Sequence, residues 1–110
     1  MKRKIWVTSD LYLGQKNRQA MAKRLLKVWS HVVRADDLVL LLGNVSSDKV
    51  GYWFNVISGL PGRKRLMLGS EDRYRTTWYK KWNFEDVVPF HRALLLDAPH
   101  GQIMFARFSP

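Results

Sequence analysis

The chain contains no cysteine, which excludes disulfides, thiolate metal sites and a cysteine nucleophile, and permits a reducing compartment. Long apolar runs are missing as well. The longest, such as "LVLLLG", are far too short to span a bilayer. The opening "MKRKIWVTSD" is basic but has neither a sustained apolar region nor a small-residue cleavage site, so no membrane association is expected and the cytoplasm is the expected address. No solenoid period, low-complexity segment or linker-like composition divides the chain, so one domain over residues 1–110 is expected. Acids are scarce: 9 Asp and Glu stand against 19 Lys and Arg, for a net charge of +10. Such an excess favours polyanions or acidic protein surfaces as partners. The plainer alternative is that the charge only keeps a small domain soluble.

What is present speaks for a folded protein. Hydrophobic residues make up 46% of the chain and aromatics 13%, with five Trp, which is too apolar for a disordered basic tail. At 110 residues there is enough chain for one core and little to spare.

The order of elements follows from the periods. "KIWVTSD" (4–10) is β-branched and aromatic and ends in a polar turn, as a first strand should. Between Arg18 and Arg34 the positions Ala22, Leu25, Leu26, Trp29, Val32 and Val33 repeat at helical spacing and predict one buried stripe. Lys16, Lys23, Lys27 and Arg34 fall largely on the other side, most simply a solvated face and otherwise, with Arg73, Arg75, Lys80 and Lys81, a candidate surface for a partner or nucleic acid. "DDLVLLLGNV" (36–45) is a nearly continuous apolar run, the pattern of a strand covered on both faces. A second helix is expected over 46–60, with Ser46 or Ser47 as N-cap and Gly59 near its end. "RKRLMLG" (63–69) predicts a third strand. A third helix is expected over 72–82, where Tyr74, Trp78 and Trp82 repeat every four residues. From residue 85, "EDVVPF", "HRALLLD" and "GQIMFARF" are short runs separated by turn residues, a mainly β tail. The class is therefore α/β: a βαβαβα core with parallel strands, followed by a short β-rich tail. Ligand sites in such folds collect at the carboxyl ends of the strands, which here are Asp10, Asn44 and Ser70 to Asp72.

The ordered segments "SDLYLG", "DDLVLLLGNV" and "LPGRKRLMLGSEDR" resemble the calcineurin-like metallophosphoesterases, in their small bacterial and phage-type versions. The likeness covers most of the chain. It implies the family's fold, and it implies a dimetal site built from Asp-x-His, Gly-Asp, Gly-Asn-His-Asp or Glu, a later His and a final Gly-His-x-His. Carried over residue by residue, that site is largely missing. Asp10 matches the first Asp, but Tyr12 stands at the first His, and a phenol with a pKa of about 10 is a poor substitute for a neutral imidazole. Asn44 stands at the Asp that bridges both metals. Two divalent ions about 4 Å apart repel by about 17 kcal/mol at an effective dielectric of about 20, and an amide supplies no charge to offset that. Ser70 and Glu71 replace the family's Asn ligand and catalytic His, while Asp72 keeps the closing acid. "ARFSP" (106–110) resembles the family's Ser-His-Tyr-Pro type segment and puts Arg107, a fixed cation, at another ligand position. The final motif does not occur, which implies a C-terminally truncated member.

The expectation is thus a non-catalytic relative, without a resident cofactor or metal, in which Arg107 supplies the positive charge that ions supply elsewhere by pairing with Asp10 or Glu71. A weaker alternative is an oxygen-ligand site for Mg²⁺ or Ca²⁺ from Asp10, Glu71 and Asp72, helped by Asn44. His31, His91 and His100 lack paired spacing and are expected to be surface or hydrogen-bonding residues. The expected role is that of a binding or inhibitory partner of another protein, phage-encoded by resemblance, or of a homo-oligomer that covers an exposed tail strand around Ile103 to Phe108. Two other roles compete with it. Arg73, Arg75, Lys80 and Lys81, interleaved with Tyr74, Trp78, Tyr79 and Trp82, could combine phosphate contacts with base stacking, although helical packing also explains three of those aromatics. A residual metal-dependent phosphodiesterase is the third.

Overall fold

A computed structural model describes residues 3–72, 74–89, 92, 94–98 and 101–105. Four strands, β1 (Ile5–Thr8), β2 (Leu38–Leu41), β3 (Arg63–Met67) and β4 (Asp86–Val88), form one all-parallel sheet in the order β1-β2-β3-β4. The register pairs Ile5 with Leu38, Leu38 with Arg63, and Arg65 with Asp86. Between them run α1 (Gln19–Val32), α2 (Val50–Ser58) and α3 (Thr76–Lys80). Strands β5 (Leu94–Ala98) and β6 (Gly101–Phe105) make a separate antiparallel pair.

Sequential strand order requires crossovers of one hand, which put all three helices on the same face of the sheet. The core records this division. Val39, Leu41, Leu66, Leu68 and Val87 pack with Ala22 and Trp29 of α1, Phe54 and Ile57 of α2 and Tyr79 of α3. Leu38, Leu40, Met67 and Val88 point the other way and meet Leu96 and Phe105 of the β5–β6 pair. The run "LVLL" is buried at every position because it is covered on both sides. The first edge strand is not. Ile5 and Val7, which alternate with the helix-facing Trp6, are 45% and 51% exposed.

Several expectations are corrected. The second helix begins at Val50, and its N-cap is Lys49 in the left-handed region, not Ser46 or Ser47. Ser46 instead donates from Oγ to the Leu13 and Asp48 carbonyls, tying two loops together. The third helix is five residues long, not eleven. Asp72 cannot start it, because its carboxylate closes a turn by accepting the backbone N–H groups of Gly69 and Asn44. Tyr74 therefore lies outside the helix and is exposed, stacked on Trp78, whereas Trp78 and Trp82 pack against the core and Tyr79 is the deepest of the four. Val32 belongs to an exposed flank of α1 rather than to the buried stripe. Finally, "EDVV" is not tail but the fourth parallel strand.

One buried charge has a clear structural role. Asp37, at the start of β2, accepts the backbone N–H groups of Lys4 at 2.8 Å and Arg34 at 3.0 Å and the Trp6 indole at 3.0 Å. It thereby clamps the end of α1 to the first strand pair. Three donors favour the charged carboxylate, led by the Lys4 and Arg34 amides, and hold its pKa down to about 2.

Candidate functional site

The carboxyl ends of β1, β2 and β3 meet in a cluster built around Asn44. Its side-chain Nδ2 donates to Asp10 Oδ1 at 2.9 Å, and its Oδ1 accepts the Glu71 backbone N–H at 2.9 Å. The Asn44 backbone N–H donates to Asp72 Oδ2 at 2.9 Å, and that same oxygen accepts the Gly69 N–H at 2.6 Å. Asp72 Oδ1 takes the Val45 N–H at 3.4 Å. The β1 loop is stitched to the β2 loop by Asp10 N–H to Gly43 O and Tyr12 N–H to Asn44 O. Asn44 thus uses both ends of its amide in a buried position, 3% exposed, at the junction of three strand ends.

The local backbone is shaped for this. Asp10, Tyr12 and Asn44 all have positive φ, at 52°, 46° and 51°. Non-glycine residues in that region cost free energy and persist where the surroundings fix them. Three of the five positive-φ non-glycine residues among the described residues thus lie in this one cluster. Gly69 is required for a different reason. A Cβ there would collide with the Asn44 side-chain amide and backbone nitrogen, so only glycine lets β3 end against Asn44.

The positions Asp10, Asn44, Glu71 and Asp72 singled out in the sequence are therefore brought together, although Glu71 enters through its backbone and its side chain is exposed. Ser70 is exposed beside them. Tyr12 is half-buried, and the Arg18 guanidinium lies 5.2 Å over its ring while donating to the Asp10 backbone carbonyl at 3.1 Å. Arg18 was not singled out in the sequence; lying just before a helix, it reads there as one more solvated cation. Arg107 lies outside the described residues, as do Arg73, His91 and His100. Among the described residues no three His, Asp or Glu side chains are arranged to hold a metal ion. The cluster's chemistry is that of satisfied hydrogen bonds: an amide placed against a carboxylate, and a second carboxylate closed onto backbone N–H groups.

Lys16, Lys23, Lys27 and Arg34 are exposed, as a solvated helix face requires. Arg75, Lys80 and Lys81 are exposed too, with the Lys81 ammonium 4.8 Å over the Trp78 ring. Arg75 and Lys80 line a cleft of about 650 Å³ at the carboxyl ends of β3 and β4, together with Tyr74, Thr76 and Arg92. Its floor includes Gly69 and Asp72, so it adjoins the Asn44 cluster. Arg92 is a further residue that the sequence pattern did not expose, since nothing local distinguishes an arginine between short strands.

A separate apolar groove of about 200 Å³ runs between β1 and α1, lined by Val7, Val28, Trp29 and Val32. No described helix is long and apolar enough to cross a membrane.

No family model matches the chain. The chain is similar to the Gene 66 protein of Mycobacterium phage L5, at 38% identity over 61% of this chain and 39% of that protein. It is similar to the Gene 66 protein of Mycobacterium phage D29, at 34% identity over 63% of this chain and 40% of that protein. It thus spans about two fifths of the length of these relatives. Among solved structures it resembles a protein of unknown function from Aquifex aeolicus, with a TM-score of 0.71 and 17% identity, covering 94% of this chain and 60% of that one. That likeness shows the fold: a mixed α/β protein with a four-stranded parallel sheet and a small antiparallel one.

Proposed function

We propose that this chain is a metallophosphoesterase-like protein that binds and does not cleave, its ion pocket replaced by hydrogen bonds of the chain itself. The observation that carries the reading is the 2.9 Å contact from the Asn44 amide to Asp10. In the resembled family both positions are anions that share metal. Here a neutral donor engages the Asp10 carboxylate, an arrangement that needs no ion to offset two adjacent anions. The filled geometry favours this over the Mg²⁺ or Ca²⁺ alternative, since Asp72 is already turned onto three backbone N–H groups.

A chain with this site acts through its surface. The exposed apolar residues Ile5 and Val7 on the uncovered face of edge strand β1, and Val28 and Val32 on α1, support a protein partner or self-association. Ile103 and Met104 of β6 add to the exposed apolar area. The two phage relatives support a phage origin.

The reading is tested by hydrolysis of bis(p-nitrophenyl) phosphate in the presence of Mn²⁺. No turnover above buffer is expected. Turnover abolished by Asp10→Ala would contradict it.

A further inference from the structure

The cleft beside the Asn44 cluster carries chemistry that the cluster does not use. Three cations, Arg75, Lys80 and Arg92, line it together with the hydroxyl-bearing Thr76. Among the described residues the ion pairs are Arg63–Glu85 and Arg65–Glu85, so none of the three cleft cations is paired with a carboxylate. Among the described lining residues the acid is Asp72, and its oxygens accept the backbone N–H groups of Gly69, Asn44 and Val45. Three cations against one carboxylate leave the described lining net positive.

An aromatic platform stands at its side. Tyr74 is 45% exposed and lines the cleft, and its ring is stacked on Trp78 with centroids 4.4 Å apart and planes at 22°. Trp78 is packed against the core, so Tyr74 is backed by a fixed surface while much of it stays exposed. Cations beside an open ring are the two elements that bind a phosphate and its neighbouring base without reading sequence. A volume of about 650 Å³ is that of a site for a nucleotide-sized ligand.

We propose that this cleft binds the phosphate-and-base unit of single-stranded nucleic acid, with Arg75, Lys80 and Arg92 on phosphate oxygens and Tyr74 stacked on a base. The proposal rests on the reading that the protein binds rather than cleaves.

The test uses the full chain and a fluorescein-labelled 12-residue oligodeoxythymidine, followed by anisotropy at several salt concentrations. Binding is expected to weaken steeply with salt, with a slope that falls by about 1.4 when two phosphate contacts are removed. Arg75→Gln combined with Arg92→Gln should lower affinity at least about tenfold at low salt, and Tyr74→Ala at least about fivefold. Lys23→Gln with Lys27→Gln, an equal loss of charge on the exposed face of α1, should change affinity less than about threefold. The four cations and Tyr74 are exposed, so the variants are expected to fold, and an unchanged far-ultraviolet spectrum verifies it. Competition by thymidine monophosphate separates the two sources of the same chemistry: displacement in the low millimolar range assigns recognition to a single nucleotide, and displacement by unlabelled oligonucleotide alone assigns it to the strand. No binding at low salt, or equal losses from the cleft and α1 variants, would overturn the proposal. The same oligonucleotide run on a gel after incubation with Mn²⁺ keeps the two readings apart, since cleavage with intact cleft-dependent binding would remove only the claim of non-catalysis.

Discussion

Asn44 donates its side-chain amide to the Asp10 carboxylate across the ends of adjacent strands, at 2.9 Å, and does so from a position almost wholly shielded from solvent. One hydrogen bond thus sets a neutral amide against a carboxylate at a place where two carboxylates would repel each other. The amide at Asn44 and the acid at Asp10 are parts of one arrangement.

Placing a charge at Asn44 should therefore harm the protein. Asn44→Asp sets a second carboxylate at hydrogen-bond distance from Asp10 and removes the donor between them. Stability at neutral pH is expected to fall by about 1–3 kcal/mol. The proximity raises the pKa of one of the two carboxyls above its unfolded value, so the folded state binds a proton more readily there than the unfolded chain does. The penalty is present at neutral pH and shrinks as pH falls through that raised pKa. Urea unfolding of both proteins at pH 7 and pH 5 measures it; an equally stable variant at pH 7 would count against the role given to Asn44.

Gly69→Ala tests the packing of the same junction. The added methyl group must displace the Asn44 amide and backbone, a cost of about 1–3 kcal/mol by the standard of overpacked sites. A thermal melt reads the loss. The double variant Gly69→Ala with Asn44→Ala should lose less than the sum of the two single losses, since the side-chain clash is then absent.

Asp37→Asn addresses the clamp between α1, β1 and β2. Asn keeps one acceptor and loses the charge that three N–H donors favour, so the melting temperature should drop by several degrees. The pKa of Asp37 is depressed to about 2. Its contribution is accordingly complete above the unfolded carboxyl value of about 4 and is lost as pH falls from there towards 2. The variant's deficit should vanish across that window.

Lys64 is the opposite case. It sits on the helix-facing side of β3, 2% exposed, with its ammonium donating to the Gly62 carbonyl at 3.1 Å. Burial lowers its pKa, so the unfolded state binds the proton more strongly and stability rises with pH as the ammonium is lost in the alkaline range. Lys64→Met should be neutral or stabilising at pH 7 and should abolish that rise. Melts between pH 7 and pH 10 check both parts.

The fold was legible where burial is periodic and local. "LVLL" announces a strand covered on both faces, and Ala22, Trp29 and Val33 mark the buried side of α1. The third helix was misread because Tyr74, Trp78 and Trp82 carry a helical period, while what decides where it starts is the capture of Asp72 by backbone groups of a distant loop. Lys64 was equally hidden, since a lysine in a charged run reads as solvated. At the site, Asp10, Asn44 and Asp72 could be placed together because parallel strands deliver their carboxyl ends to one edge. Arg18, Gly69 and Arg92 could not, because their importance lies in contacts between loops that share no local pattern.

The most direct test of the filled pocket is a calorimetric titration of the full chain with Mn²⁺ at neutral pH, beside Asp10→Ala. The account predicts no saturable heat from either protein. A saturable binding curve for the unaltered chain, absent from Asp10→Ala, would contradict it.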